Sequence, residues 1–209
     1  MTRPEAVWGF RFCFEFSGCF FYDFQGNLMT LPDKMVPARE RRGDAPMIGI
    51  LGIGNILIRD EGFGVHCVQR LQELYQVPDS VAVLDGGTAG IMLAPFIESV
   101  DLLYVIDTVN GSGEPGTIHC FSDSDVRAGN IQGRMSPHQL GLLEIFSLCQ
   151  LRGEAPDLVE LITVVPQDLS TGLGLSPVLE ARIPEVIDML LDRLARQGVV
   201  FKRREAGVA

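Results

Sequence analysis

The stretch at residues 47–64, MIGILGIGNILIRDEGFG, constrains the fold more than any other part of the chain. An apolar run over 47–51 breaks at Gly52 and Gly54. Asn55, a short aliphatic segment with Arg59, and the adjacent acids Asp60 and Glu61 follow. A second glycine pair, Gly62 and Gly64, leads into a helical pattern. This punctuation reads as a buried strand, a tight turn and a helix entered through a carboxylate pair. In an open α/β sheet such a turn sits at the carboxyl edge of a parallel strand, where ligands bind. Glu61 is therefore the first candidate site residue, and Asp60 fits as the helix N-cap.

Composition narrows the classes open to such a chain. Its 209 residues suffice for one domain with a real core, and 46% hydrophobic against 21% charged residues predicts an ordered globule. The net charge of −10 argues against non-specific nucleic-acid binding, which needs a basic face to neutralise phosphates. The five cysteines are odd in number and contain no C-x-x-C pair, which disfavours a disulfide framework or a structural zinc site. Reduced thiols in a cytoplasmic protein are the expectation. No apolar run approaches the ~18 residues of a transmembrane helix, so no membrane partner is expected. The N-terminus does not read as a signal peptide.

Residues 1–46 differ from the rest. They hold seven of the twelve phenylalanines and the only tryptophan, so a second composition begins at residue 47. Phe10, Phe12, Phe14 and Phe16 alternate with Arg11, Cys13 and Glu15, a strand period. Pro32, Pro37, Pro46 and the basic run 39–42 read as a linker. Two readings stand side by side: an extra edge strand with a tether, or a translated leader before a later start at Met35 or Met47. The domains expected are thus a 1–46 extension and a 47–209 domain.

From residue 47 the spacing predicts alternating strands and helices, hence an α/β fold. Strands are expected over 47–53, 81–84, 102–106 and 159–165, with a short antiparallel edge strand over 117–121. Helices are expected over 61–76 and 90–99. A third runs from 136 to about 150, opened by the capping box Ser136-Pro137-His138-Gln139. A last helix starts or kinks at Pro184, and residues 122–135 read as an irregular loop.

Three candidates for chemistry fall after strands or at helix starts: Glu61, Asp107 and His138. Two carboxylates and an imidazole suit a borderline divalent cation. At a helix start the ring of His138 is kept neutral, as a metal ligand must be. Asp85 closes its strand as Asp107 does, and Asp60 precedes Glu61, so both are candidate general bases. Each of these aspartates also has an ordinary reading as a cap or turn residue. Gly52-Ile53-Gly54 looks like the start of a dinucleotide loop, but Leu57 stands where the third glycine belongs, so no nucleotide is expected. No P-loop, H-E-x-x-H or G-x-S-x-G motif is present.

GIGNILIRDEGFG (52–64 with its strand) resembles the opening motif of the hydrogenase maturation endopeptidases. The resemblance continues through DGGTAG (85–90), VIDTVNGSGEPGT (105–117), RMSPHQLGL (134–142) and LGLSP (173–177), and it covers 47–197. It implies a single three-layer α/β domain, with a twisted, mostly parallel five-stranded sheet and helices on both faces. It implies a hydrolase that removes a C-terminal extension from the precursor of the [NiFe]-hydrogenase large subunit. By matching motif, Glu61, Asp107 and His138 would be the metal ligands. Nickel would arrive as the cofactor held by the precursor's own cysteines. The alternative is a non-proteolytic nickel-checking chaperone built on the same ligands. Residues 1–46 have no counterpart in the family.

Overall fold

The computed structural model describes residues 21–22, 28–29, 46–128 and 137–204, and side chains over 46–128 and 141–204. The chain divides into two compact units, 1–36 and 37–209. In the first, β1 (Phe21–Tyr22) pairs antiparallel with β2 (Leu28–Met29). The alternating segment at 10–16 lies outside the described residues.

The second unit is built on β3 (Ile48–Ile53), in which every residue is buried. A strand this uniformly apolar needs cover on both faces, and its alternation sorts the cover. Ile48 and Ile50 share a core with Tyr104, Ile106, Ile162 and Val164, packed under Phe63, Cys67, Val68 and Leu71 of α1 (Phe63–Leu74). Leu51 and Ile53 join Leu103, Val105 and Leu161 in a second core on the other face. A 3-10 turn over Arg59–Gly62 precedes α1.

β4 (Tyr75–Gln76) ends the first crossover and β5 (Val81–Gly87) pairs parallel with β3. The helix expected over 90–99 is shorter: a 3-10 turn at Gly90–Leu93, then α2 (Ala94–Glu98), with Pro95 in its first turn. β6 (Leu102–Thr108) pairs with the other side of β3. β7 (Ile118–Phe121) is the antiparallel edge strand expected. The segment read as irregular loop contains α3 (Asp123–Arg127). Its capping box joins Ser122 and Asp125 reciprocally, so a short polar segment becomes helical without an apolar stripe.

α4 (Pro137–Arg152) covers the second face with Leu142, Ile145, Phe146 and Cys149. Ser136, the expected cap, lies outside the described residues. β8 (Leu158–Val164) pairs parallel with β6 and antiparallel with β7. Besides α3 and β4, which takes the last two positions of the helix expected over 61–76, two further short elements of this unit went unread in the sequence. One is α5 (Pro177–Glu180), whose N-cap Ser176 accepts from the Leu179 amide. The other is β9 (Lys202–Arg203), antiparallel to β4. Between them, α6 (Ile183–Arg196) carries Pro184 in its first turn, next to the start expected, and buries Ile187, Leu190 and Leu194. The five-stranded sheet has the order β5-β3-β6-β8-β7, with helices on both faces, as the resemblance implied. The described cysteines, Cys67, Cys120 and Cys149, are free thiols.

Candidate active site at the carboxyl edge of the sheet

The strand order opens one crevice. The chain passes from β3 outward to β5, then returns across β3 to β6, so its direction reverses between β3 and β6. At such a reversal the loops leaving the two strands diverge and leave room for a ligand. Glu61 sits on the turn leaving β3, and Asp107 sits near the end of β6. The two sequence candidates therefore flank this crevice.

Close backbone packing brings Glu61 there. Gly54 has φ +134°, and a side chain on it would collide with the Glu61 carbonyl oxygen. A side chain on Gly52 would collide with the carbonyl oxygen of Gly64. The glycine pairs of the opening motif thus let the turn and the start of α1 lie directly on the end of β3. This packing accounts for the glycines without any nucleotide phosphate.

Asp60 plays a different part from the one its position suggested. The N-cap of α1 is Gly62, with no side-chain cap bond. The reason is the intervening 3-10 turn, which moves the helix start two residues on. The Asp60 carboxylate is instead fully buried against the loop that follows β8. Its Oδ1 accepts from the Ser176 amide at 2.6 Å, and its Oδ2 accepts from the Gln167 and Asp168 amides, each at 2.8 Å. The Asp60 amide donates back to the Asp168 carbonyl at 3.2 Å.

The same two loops are joined again nearby. The Arg59 amide donates to the Gly172 carbonyl at 3.1 Å, and the Gly172 amide donates to the Leu57 carbonyl at 2.9 Å. Arg59 adopts φ +40°, unusual for a side-chain-bearing residue, and its Nε lies 3.3 Å from Asp168 Oδ2. Hydrogen bonds from Ser170, and then the Arg59 charge, hold the Asp168 carboxyl below the usual carboxylate range. Nothing in the sequence spacing announces that the glycine-containing turn at 171–174 pairs with the loop at 57–60.

Asp107 is fully buried, and its Oδ1 accepts from the Thr108 amide at 2.6 Å. It alternates with Leu103 and Val105, so it belongs to the face covered by α4. A helix that feeds a parallel strand runs back along it, which brings the first turn of α4, with the backbone of His138, to the carboxyl edge on that face. The His138 side chain lies outside the described residues.

Asp85 is in register with Gly52 and Ile106, on the opposite face from Asp107. Its Oδ2 accepts from Gln69 of α1 at 3.1 Å and its Oδ1 from the Gly87 amide at 3.1 Å. Among the described residues no three His, Cys, Asp or Glu side chains gather around one metal position. Glu61 and Asp107 supply oxygen donors of the kind a borderline divalent cation accepts.

The chain is similar to known proteins. A family model described as hydrogenase maturation protease matches residues 65–193. The hydrogenase 2 maturation protease of Escherichia coli strain K12 is 39% identical over 158 residues, covering 75% of this chain and 96% of that protein. The hydrogenase expression/formation protein HupD of Bradyrhizobium diazoefficiens is 40% identical over 161 residues, covering 77% of this chain and 84% of that protein. Among solved structures, the hydrogenase maturating endopeptidase HybD from E. coli superposes with a TM-score of 0.71 at 39% identity, covering 75% of this chain and 97% of that one. The chain belongs to the hydrogenase maturation protease family, and so is a protease acting in hydrogenase maturation. Among the described residues, no helix is long and apolar enough to cross a membrane.

Proposed function

We propose that this chain is an endopeptidase that removes the C-terminal extension of a nickel-loaded [NiFe]-hydrogenase large-subunit precursor, with the nickel supplied by that substrate. The observation that carries the reading is the placement of Glu61 and Asp107 on the two sides of the β3/β6 crevice. The start of α4, whose backbone carries His138, supports the same reading. Glu61, Asp107 and His138 are the proposed ligands that dock on the substrate's nickel. They offer two oxygens and one nitrogen, whereas thiolates of the precursor would supply the soft donors that hold nickel before docking. The protease then reads the metal as a sign that the precursor is loaded.

Once docked, the substrate's metal has two roles open to it: polarising the scissile carbonyl or activating the attacking water. Asp60 and Asp85, the two candidate general bases, both have their carboxylates engaged in hydrogen bonds that hold the fold. Three backbone amides occupy the Asp60 carboxylate, and Asp85 holds Gln69 and its own turn on the far face of the sheet. The test is mass spectrometry of the large subunit co-expressed with and without this chain. A product shortened at the C-terminus only when the chain is present supports the protease. Unshortened precursor bound to the chain would mean a nickel-checking chaperone instead.

A further inference from the structure

Large aliphatic side chains are exposed unevenly over the described surface. Ile56, Leu57, Ile91, Leu169 and Leu173 all lie on loops that leave the carboxyl ends of β3, β5 and β8. The remaining ones are a pair one turn apart near the end of α4, Leu148 and Leu151, and Val200 by itself. Leu57 is 58% exposed and Leu173 is 73% exposed.

These positions are held in place. Leu57 and Leu173 flank the two-bond ladder between Leu57, Arg59 and Gly172. Leu169 follows Asp168, whose amide is held by Asp60. Ile56 packs on Gly62, one residue beyond Glu61; a Cβ there would come within 2.9 Å of the Ile56 backbone. Here a buried carboxylate with three amide bonds keeps the two loops together with their leucines outward. An apolar surface fixed in this way has already met much of the ordering cost of binding.

The charges of the patch select its occupant. Arg59 and Asp168 neutralise each other within it, although the whole chain carries −10. A basic or acidic partner therefore gains little there, and an apolar one gains contact area. The patch continues directly into the turn that carries Glu61. We infer that the paired loops at 55–59 and 168–174 form a preorganised docking platform for an apolar stretch of the precursor protein, adjacent to its metal-bearing end. This inference rests on the protease reading for the identity of the partner. Asp60 is the positioning residue of the platform, and Ile56, Leu57, Leu169 and Leu173 make the contacts.

The experiment titrates purified nickel-loaded precursor with the full chain, measures Kd, and follows cleavage by intact mass in the same samples. Leu57→Asp combined with Leu173→Asp should raise Kd about ten-fold or more while the melting temperature stays that of wild type. Leu151→Asp, on the 87% exposed residue near the end of α4, should leave Kd unchanged. If the aspartates prevent folding, Leu57→Ser with Leu173→Ser carries the same test. An unchanged Kd in the folded double variant overturns the inference. So does a wild-type dimer that the double variant abolishes while its precursor affinity stays intact, because a second copy would then be the occupant. Wild-type chain that binds through the platform yet never shortens the precursor would sink the protease reading alone.

Discussion

Replacing Asp60 by asparagine tests how the edge of the sheet is held. The aspartate accepts three amides at 2.6 to 2.8 Å from a fully buried position. A hydrogen bond to a charged group contributes ~1.5–3 kcal/mol, and a buried donor left unmet costs ~1–3 kcal/mol. Asparagine keeps one oxygen. If that oxygen faces Gln167 and Asp168, two bonds survive at neutral strength, and the side-chain amide meets the Ser176 N–H donor to donor. The loop lies at the surface, and water can reach part of it, which limits the damage. We expect a loss of about 3 kcal/mol, equivalent to a fall of ~6–12 °C in Tm for a chain of this size. Thermal denaturation followed by circular dichroism measures the fall. Amide exchange at Gln167, Asp168 and Ser176 should speed up well before exchange in β6. Cleavage should also drop below the melting range, because Glu61 adjoins the clamp. A Tm within about 1 °C of wild type, with those amides still protected, would refute the clamp.

Other consequences follow from the same geometry. Gly54→Ala should be among the most damaging single changes, by more than ~3 kcal/mol, since φ +134° and the Glu61 carbonyl both exclude a side chain; soluble expression and Tm would show it. Burial pushes the Cys149 thiol up to about 11 from 9.0, with the Glu98 carboxylate adding to the effect. The neutral thiol is therefore favoured in the fold, and its stabilisation is intact below about pH 9 and lost as pH rises toward 11. Urea midpoints should fall over that interval and fall less in Cys149→Ala. A thiol reagent at pH 8 should label Cys120, which is exposed, while Cys149 and Cys67 resist until the chain unfolds. A chain beginning at Met47 should unfold cooperatively, because the first core strand starts at Ile48; loss of folding would place part of 1–46 in the core.

Local periodicity explains which parts of the fold were legible. The continuous apolar runs of β3 and β6 and the stripes of α1 and α6 are regular enough to read directly, and α4 is announced by the pattern Ser136-Pro137-His138-Gln139 at its start. The candidate positions at strand ends follow from the same runs, which is why Glu61 and Asp107 fall beside the crevice. Long-range bonding explains what was not legible. Asp60 sits beside Glu61 and before a helix, so its neighbours suggest a cap, yet its partners lie 107, 108 and 116 residues further on. Asp85 and Asp107 look alike as strand terminators, but sheet alternation sends them to opposite faces. α3 rests on one reciprocal polar contact, and β4 and β9 are two-residue strands paired across a long stretch of chain, so neither leaves a periodic trace.

The proposal that the metal comes with the substrate is decided by one cleavage experiment. The chain is stripped with chelator, washed, and mixed with purified precursor that either carries nickel or lacks it; intact mass reports the C-terminus. The stripped chain should shorten nickel-loaded precursor as fast as untreated chain does. Precursor without nickel should stay uncut even when the chain has been soaked in zinc. A stripped chain that is inactive on loaded precursor and is revived by zinc alone would contradict the claim and make this an ordinary metallopeptidase.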